Sequence, residues 1–405
     1  VTEPNVSTQS TESSIENPYA RDRVCYDADS HLMPEHDFLQ KHADPKYRDR
    51  LRIAGGENGG KGFADFFDKT VRDARERMAD PERTRELEDN VIASAKGWAA
   101  HGAIDGVERS RTLDLLGFKG QLVFSTFAGQ FIRRSDRELM YAGTRAHSRA
   151  MVDFCSSDSR LMPVAMIPLN HPEDAIAELS AALELGCKAI QVPSDAPGGD
   201  NKGFAPSHRD LEPFWAMLAE ARIPMVLHIG GGHLAPPAYH RNGDPRVTDW
   251  LGGGENLRGK DFPALHHSPA NFLTAMILDG IFDQFPALRC GVIELGASWV
   301  PGLLHNLDAA FRSFRKTEPR LQALSMLPSD FVRRQIGFTP FPFEDIGWMA
   351  EQAGHELFLF SSDYPHPEGG RNPIKRFEDS FNQAGTAQAD REKFYSENFC
   401  GLFGI

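Results

Sequence analysis

From residue 24 to the C-terminus, short apolar runs alternate with longer amphipathic ones. Eight of the short runs have the length and composition of β-strands: residues 24–29, 120–126, 162–168, 188–193, 224–229, 289–295, 333–339 and 357–362. Helical signals fall between them. Residues 172–184 lead into Gly186, placed to cap a helix, and residues 211–221 follow. Ser268-Pro269 opens residues 270–285 with a capping residue and a proline in the first turn. Strands separated by helices predict the α/β class, and eight such units predict a closed TIM-type (β/α)8 barrel rather than an open sheet.

Two connections exceed the usual βα loop. Residues 32–119 hold a Gly-rich patch at 55–62, a charged helical run at 63–78, and a second helix opening at Asp105, with Glu108 at capping-box spacing. Residues 230–267 are rich in Gly, Pro and His. Both follow strands, so both emerge on the face where barrel active sites lie, as lids or pocket walls. The glycines of 230–233 lack the lysine and spacing of a phosphate loop, so they give clearance above the site. Residues 1–22 are polar, with Ser or Thr at six of the eight positions 7–14, too little apolar area to fold alone. The division is thus an N-terminal arm over 1–22, disordered or lying on a partner, and a barrel over 23–405 with an insertion at 32–119.

Composition narrows the function. With 40% hydrophobic and 25% charged residues, a large core is available without disulfides. The formal net charge of -13 argues against nucleic acid or an anionic membrane as the main partner. The five cysteines, Cys25, Cys155, Cys187, Cys290 and Cys400, form no pairing or metal motif and read as reduced thiols. No apolar stretch is long enough to span a bilayer and no signal-peptide core opens the chain, so the expected location is the cytoplasm.

The candidate chemistry begins on the first strand. Strict alternation puts Asp27, Asp29 and His31 on one face and Val24, Tyr26 and Ala28 on the other. With the apolar set against the helices, the polar set points at the barrel axis, where unpaired charge is costly. A metal at the strand end resolves that conflict. By the same alternation Glu294 shares a face with Val292 and Cys290, which aims its carboxylate inward.

These residues carry a resemblance. Asp29-Ser30-His31 resembles the first-strand ligand pair of the amidohydrolase-related family, which includes aminocarboxymuconate-semialdehyde decarboxylase. Ile223–His228, written Ile-Pro-Met-Val-Leu-His, is similar to its fifth strand, and Phe360-Ser361-Ser362-Asp363-Tyr364-Pro365-His366 to its eighth. Phe285-Pro286-Ala287-Leu288, then Val292-Ile293-Glu294-Leu295-Gly296 and Trp299-Val300-Pro301, resembles the region of strand six.

The resemblance spans residues 23–405 and implies Asp29, His31, His228 and Asp363 as ligands of one divalent metal, zinc ahead of manganese or iron. It implies Asp363 as a ligand or acid/base group, and Glu294 and His366 beside it complete the candidate catalytic set. Glu294 departs from the histidine of the decarboxylases, so it would ligate or act as a base without acting as an imidazole. His366 has a side chain whose ordinary pKa suits a proton shuttle. The implied activity is decarboxylation or hydrolysis of a small carboxylic acid, often aromatic in this family, by a homo- or hetro-oligomer with a related chain. The alternatives are a metal-binding subunit of a hetero-oligomeric non-haem iron or manganese oxygenase, or a scaffold subunit without turnover.

Overall fold

The computed structural model describes residues 18–53, 60–133, 135–198, 203–230, 242–244 and 259–405. Seven parallel strands run in chain order: β1 (Tyr26–Leu32), β2 (Gly120–Ser125), β3 (Leu161–Met166), β4 (Ala189–Gln191), β5 (Met225–His228), β6 (Cys290–Ile293) and β7 (Ile336–Phe338). Each is hydrogen-bonded to the next.

The eighth predicted strand is present as an irregular segment that bridges β7 on one side and β1 on the other. Leu359 N donates to Phe338 O at 2.9 Å, Ala28 N to Phe360 O at 3.0 Å, and Asp363 N to Asp29 O at 2.9 Å. Residues 358–364 therefore close the barrel.

Ala28, Phe124, Val164, Ala189, Val226 and Ile293 belong to one compact apolar cluster with Phe399 and Phe403 of the C-terminal helix Asn398–Phe403. These are the inward positions of successive strands, and the helix plugs the end where the strands begin. Tyr26, first residue of β1, stacks on Phe399 with centroids 5.3 Å apart. A larger cluster, with Cys25, Val123, Cys187, Cys290 and Val292, packs strands against the surrounding helices. All five cysteines are free thiols, four of them buried.

Three local expectations change. The helical run at 270–285 is two helices, His267–Leu278 and Ile281–Gln284, broken at Gly280, whose φ of +86° no continuing helix accepts. Residues 333–335 end the helix Pro328–Gln335, which buries Phe331, Val332 and Gln335 at helical spacing, so β7 starts only at Ile336. On β1 the register slips between Asp27 and Ser30. That irregularity puts Tyr26 and Ala28, not Asp27, with the inner cluster.

The insertion folds back on the barrel mouth. It carries the helix Gly60–Met78 and the helix Gly106–Leu116. Asp105 caps the latter by accepting from Glu108 N at 2.9 Å, while the Glu108 carboxylate turns to Gly102 N and Arg77. Tyr19 and Ala20 of the N-terminal arm bond to Leu115 O and Leu116 O of the same chain. Residues 1–17, the patch at 54–59 and most of the loop after residue 230 lie outside the described residues. Among the described residues no helix is long and apolar enough to cross a membrane.

Candidate metal centre at the barrel mouth

Six side chains meet where the strands end. Asp29 and His31 come from β1, His228 is the last residue of β5, and Glu294 stands one residue past β6. Asp363 and His366 follow from the closing segment. Each of the six is at most 4% exposed. Thr126, just past β2, is buried beside them and hydrogen-bonds His366 Nε2 at 2.9 Å.

Glu294 reaches this place by another route than strand alternation. Ile293 faces inward while Val292 and Cys290 lie in the outer layer, so a continuing strand would turn Glu294 outward. Instead its φ is +54°, and that of Asp363 is +50°. A left-handed backbone at a non-glycine residue costs about 1–3 kcal/mol and concentrates at functional sites. Here it swings two carboxylates into one cluster.

The spacing of the cluster is informative. Asp29 Oδ1 lies 3.1 Å from His31 Nε2 and 3.3 Å from His228 Nε2. Glu294 Oε2 lies 3.3 Å from His228 Nε2 and 3.7 Å from His31 Nε2. Asp363 Oδ1 lies 3.5 Å from His31 Nε2 and 3.0 Å from His366 Nδ1. An ion about 2.1 Å from each ligand atom sets neighbouring ligands about 3.0–3.5 Å apart. His31 Nε2 and both Asp363 oxygens are buried without an aligned hydrogen bond, as atoms facing a common cation are. The residues therefore fit a divalent metal.

Two groups of four form, each with its ligand atoms within 4.8 Å of one another: Asp29, His31, His228 and Glu294, and His31, Glu294, Asp363 and His366. The four residues that resemble the family's ligand set all lie in the cluster, but it is Glu294, not Asp363, that groups with the other three. Ligands of one ion stand at most about 4.2 Å apart, so Asp363 sits beside that first group rather than within it.

The surroundings orient these side chains. His228 Nδ1 is 3.0 Å from Ile229 O, which leaves Nε2 for the carboxylates. Phe124 forms a floor, its ring 4.3 Å from that of His228 and 5.8 Å from that of His31. Burial, then the neighbouring His366, pushes His31 down to about 3. Burial would raise Asp29, but hydrogen bonds and charge from His228 and His31 hold it well below the usual carboxylate range. Burial and the charge of Asp29 raise Asp363 well above that range. Asp27 lies outside the cluster: it accepts from Ser362 N at 2.8 Å, Ser362 Oγ at 2.6 Å and Gln121 Nε2 at 2.7 Å. Burial outweighs those bonds and pushes it up to about 7.

Sequence reasoning passed over three neighbours. Thr126 was legible only as the last residue of a strand. Arg109, wholly buried, donates to Gly102 O at 2.7 Å and also to His31 O, tying the insertion to β1. Lys96 has a buried ammonium without a hydrogen-bond partner among the described residues, 5.7 Å from the Tyr364 ring centroid. Burial pushes it down to about 8 against the pull of Asp363 and Glu368. No motif marks either; their placement comes from the insertion's fold. His266 lies elsewhere, stacked on Trp299, and His267 packs against His266.

A family model described as amidohydrolase matches residues 26–404. The chain belongs to the amidohydrolase family. Solved structures agree on the fold of this amidohydrolase. An amidohydrolase from Mycobacterium avium subsp. paratuberculosis K-10 is 21% identical, with 95% of this chain and 100% of that one covered and a TM-score of 0.68. The 2,6-dihydroxybenzoate decarboxylase from Rhizobium is 17% identical, with 94% and 99% covered and a TM-score of 0.58. The 5-carboxyvanillate decarboxylase from Novosphingobium aromaticivorans, solved with manganese and 4-hydroxy-3-methoxy-5-nitrobenzoic acid, is 17% identical, with 96% and 98% covered and a TM-score of 0.60.

Proposed function

We propose that this amidohydrolase is a metal-dependent decarboxylase of a small aromatic carboxylic acid. The observation that carries the reading is the buried cluster whose ligand atoms are spaced as the edges of one coordination shell. The similarity to decarboxylases of dihydroxybenzoate and carboxyvanillate supports the choice of reaction.

Asp29, His31, His228 and Glu294 would hold the metal. Two imidazoles with two carboxylates suit zinc and manganese alike. The ion, when bound, supplies Lewis-acid polarisation of substrate oxygens. Asp363 is then freed for proton work. In decarboxylation the bond from ring carbon to carboxyl carbon breaks, carbon dioxide leaves, and the electron pair remains on the ring carbon. A proton must arrive there. His366 links Asp363 to Thr126 through contacts of 3.0 and 2.9 Å, a relay that ends at the Asp363 carboxyl. Asp363 delivers that proton and His366 restores it. Nothing in the cluster favours the oxygenase-subunit or scaffold alternatives.

Two measurements test the reading. Protein reconstituted with zinc, manganese or iron is assayed with hydroxybenzoates for carbon dioxide release and with matching esters for hydrolysis. Carbon dioxide release is expected; ester hydrolysis without it makes the enzyme a hydrolase. His228→Ala should retain the circular dichroism of the parent and lose bound metal. Full metal content in that variant would remove His228 from the ligand set.

A further inference from the structure

Glu294 is held in its left-handed conformation from both sides, and one of the two holds is a carboxylate. On the N-terminal side, Thr339 Oγ1 accepts from Glu294 N at 2.9 Å, and Thr339 N donates to Val292 O at 3.0 Å. On the C-terminal side, Glu344 gathers the loop that follows. Its Oε1 accepts from Ala297 N at 3.1 Å, Ser298 N at 2.9 Å and Ser298 Oγ. Its Oε2 accepts from Ala297 N at 3.1 Å and from Phe341 N at 2.8 Å. Glu344 is 8% exposed and forms no ion pair with a described Lys, Arg or His. Backbone N–H groups and one hydroxyl therefore balance the buried charge. Gly296, at φ +68°, carries the chain from Glu294 to those donors in a conformation that L side chains rarely adopt.

We infer that Glu344 is a positioning residue for Glu294: it pins the loop after β6 to the loop after β7 so that the Glu294 carboxylate faces His31 and His228. This rests on the metal-site reading of the cluster. The chemistry requires a carboxylate, because donors converge on both of its oxygens. A glutamine presents one acceptor and turns an amide N–H toward the remaining donors. The loop would then relax toward an ordinary backbone, and Glu294 would withdraw from the two imidazoles.

The test is Mn²⁺ titration into the metal-free full-length chain, with free Mn²⁺ read by electron paramagnetic resonance, for the parent, Glu344→Gln, Glu294→Gln and the double variant. Loss of a residue that orients a ligand typically weakens metal binding about 10–100-fold, and Glu344→Gln should fall in that range. If Glu344 acts through Glu294, the double variant binds no more weakly than Glu294→Gln alone. Ser298→Ala, which removes a single donor from Glu344 and leaves the buried charge in place, should weaken binding by a smaller factor, and it serves if Glu344→Gln does not fold. Parental affinity in both Glu344→Gln and Ser298→Ala overturns the inference. So does equal weakening by Glu344→Gln with and without Glu294, which would mark general loosening. Absence of Mn²⁺ binding by the parent would instead overturn the metal-site reading, and the inference with it.

Discussion

Asp363 and Glu294 are the same kind of group in the same unusual backbone conformation, yet their neighbours divide their work. Glu294 touches His228 and His31, the pair that also holds Asp29. Asp363 touches His31 and His366, and through His366 reaches Thr126. A carboxylate among ligands stays ionised beside a cation, whereas one coupled to a histidine and a hydroxyl can carry a proton. Metal content and turnover should therefore separate the two. Asp363→Asn is expected to keep stoichiometric metal and to lose turnover by about 10²–10⁴, the usual worth of a proton-transferring residue. Glu294→Gln is expected to lose metal affinity first. Parallel loss of metal in both variants, measured by elemental analysis, would return Asp363 to the ligand set.

Periodicity finds elements better than it finds which way their side chains point. Each of the seven regular strands overlaps a predicted apolar run, and the helix Pro172–Leu185 ends at Gly186 with φ +91°, as its sequence announces. His228 and Asp363 were legible as site residues because each closes an apolar run within a segment that resembles the family's. The facing of Asp27 and the route of Glu294 were not. One depends on a register slip, the other on a single left-handed residue, and neither leaves a trace in a two-residue repeat. The insertion is the other hidden part, because its contacts with the mouth are tertiary. Gly97 N donates to Pro365 O at 2.9 Å, and Trp98 stacks on Phe127 with centroids 5.7 Å apart. This fixes Lys96, whose buried ammonium makes no hydrogen bond among the described residues and feels Asp363. A cation so placed suits an anionic substrate. Lys96→Met should raise KM for the acid about tenfold or more, the worth of a hydrogen bond to a charged group, with metal content unchanged. An unaltered KM would leave Lys96 as a counter-charge to Asp363 and Glu368 only.

At the scale of the whole molecule, the barrel must keep its outer helices seated on the strands that carry the site, and one seat is sensitive to acid. His147, on the helix Arg137–Cys155, is 1% exposed against β2. Its Nε2 lies 2.6 Å from Ser125 Oγ, while Nδ1 is buried without a partner among the described residues. Among the described residues no carboxylate stands within ion-pair distance, so burial alone pushes His147 down to about 3. The sign follows from proton counting. Between about 6.5, where an unfolded histidine titrates, and about 3, the unfolded chain binds a proton that the folded chain refuses. Stability from this residue is complete above that range and is lost as pH falls through it. At about 1.4 kcal/mol per pH unit, the loss between pH 7 and pH 5 is about 2 kcal/mol. Other groups titrate in the same window, so the informative quantity is a difference between two proteins. His147→Gln keeps a polar contact to Ser125 within reach but cannot take up the proton. Its denaturation midpoint should fall less steeply than the parent's between pH 7 and pH 5, even where its stability at pH 7 is lower. Parallel slopes in urea unfolding curves would show that His147 is protonated in the folded barrel, with water or a rearranged helix reaching Nδ1.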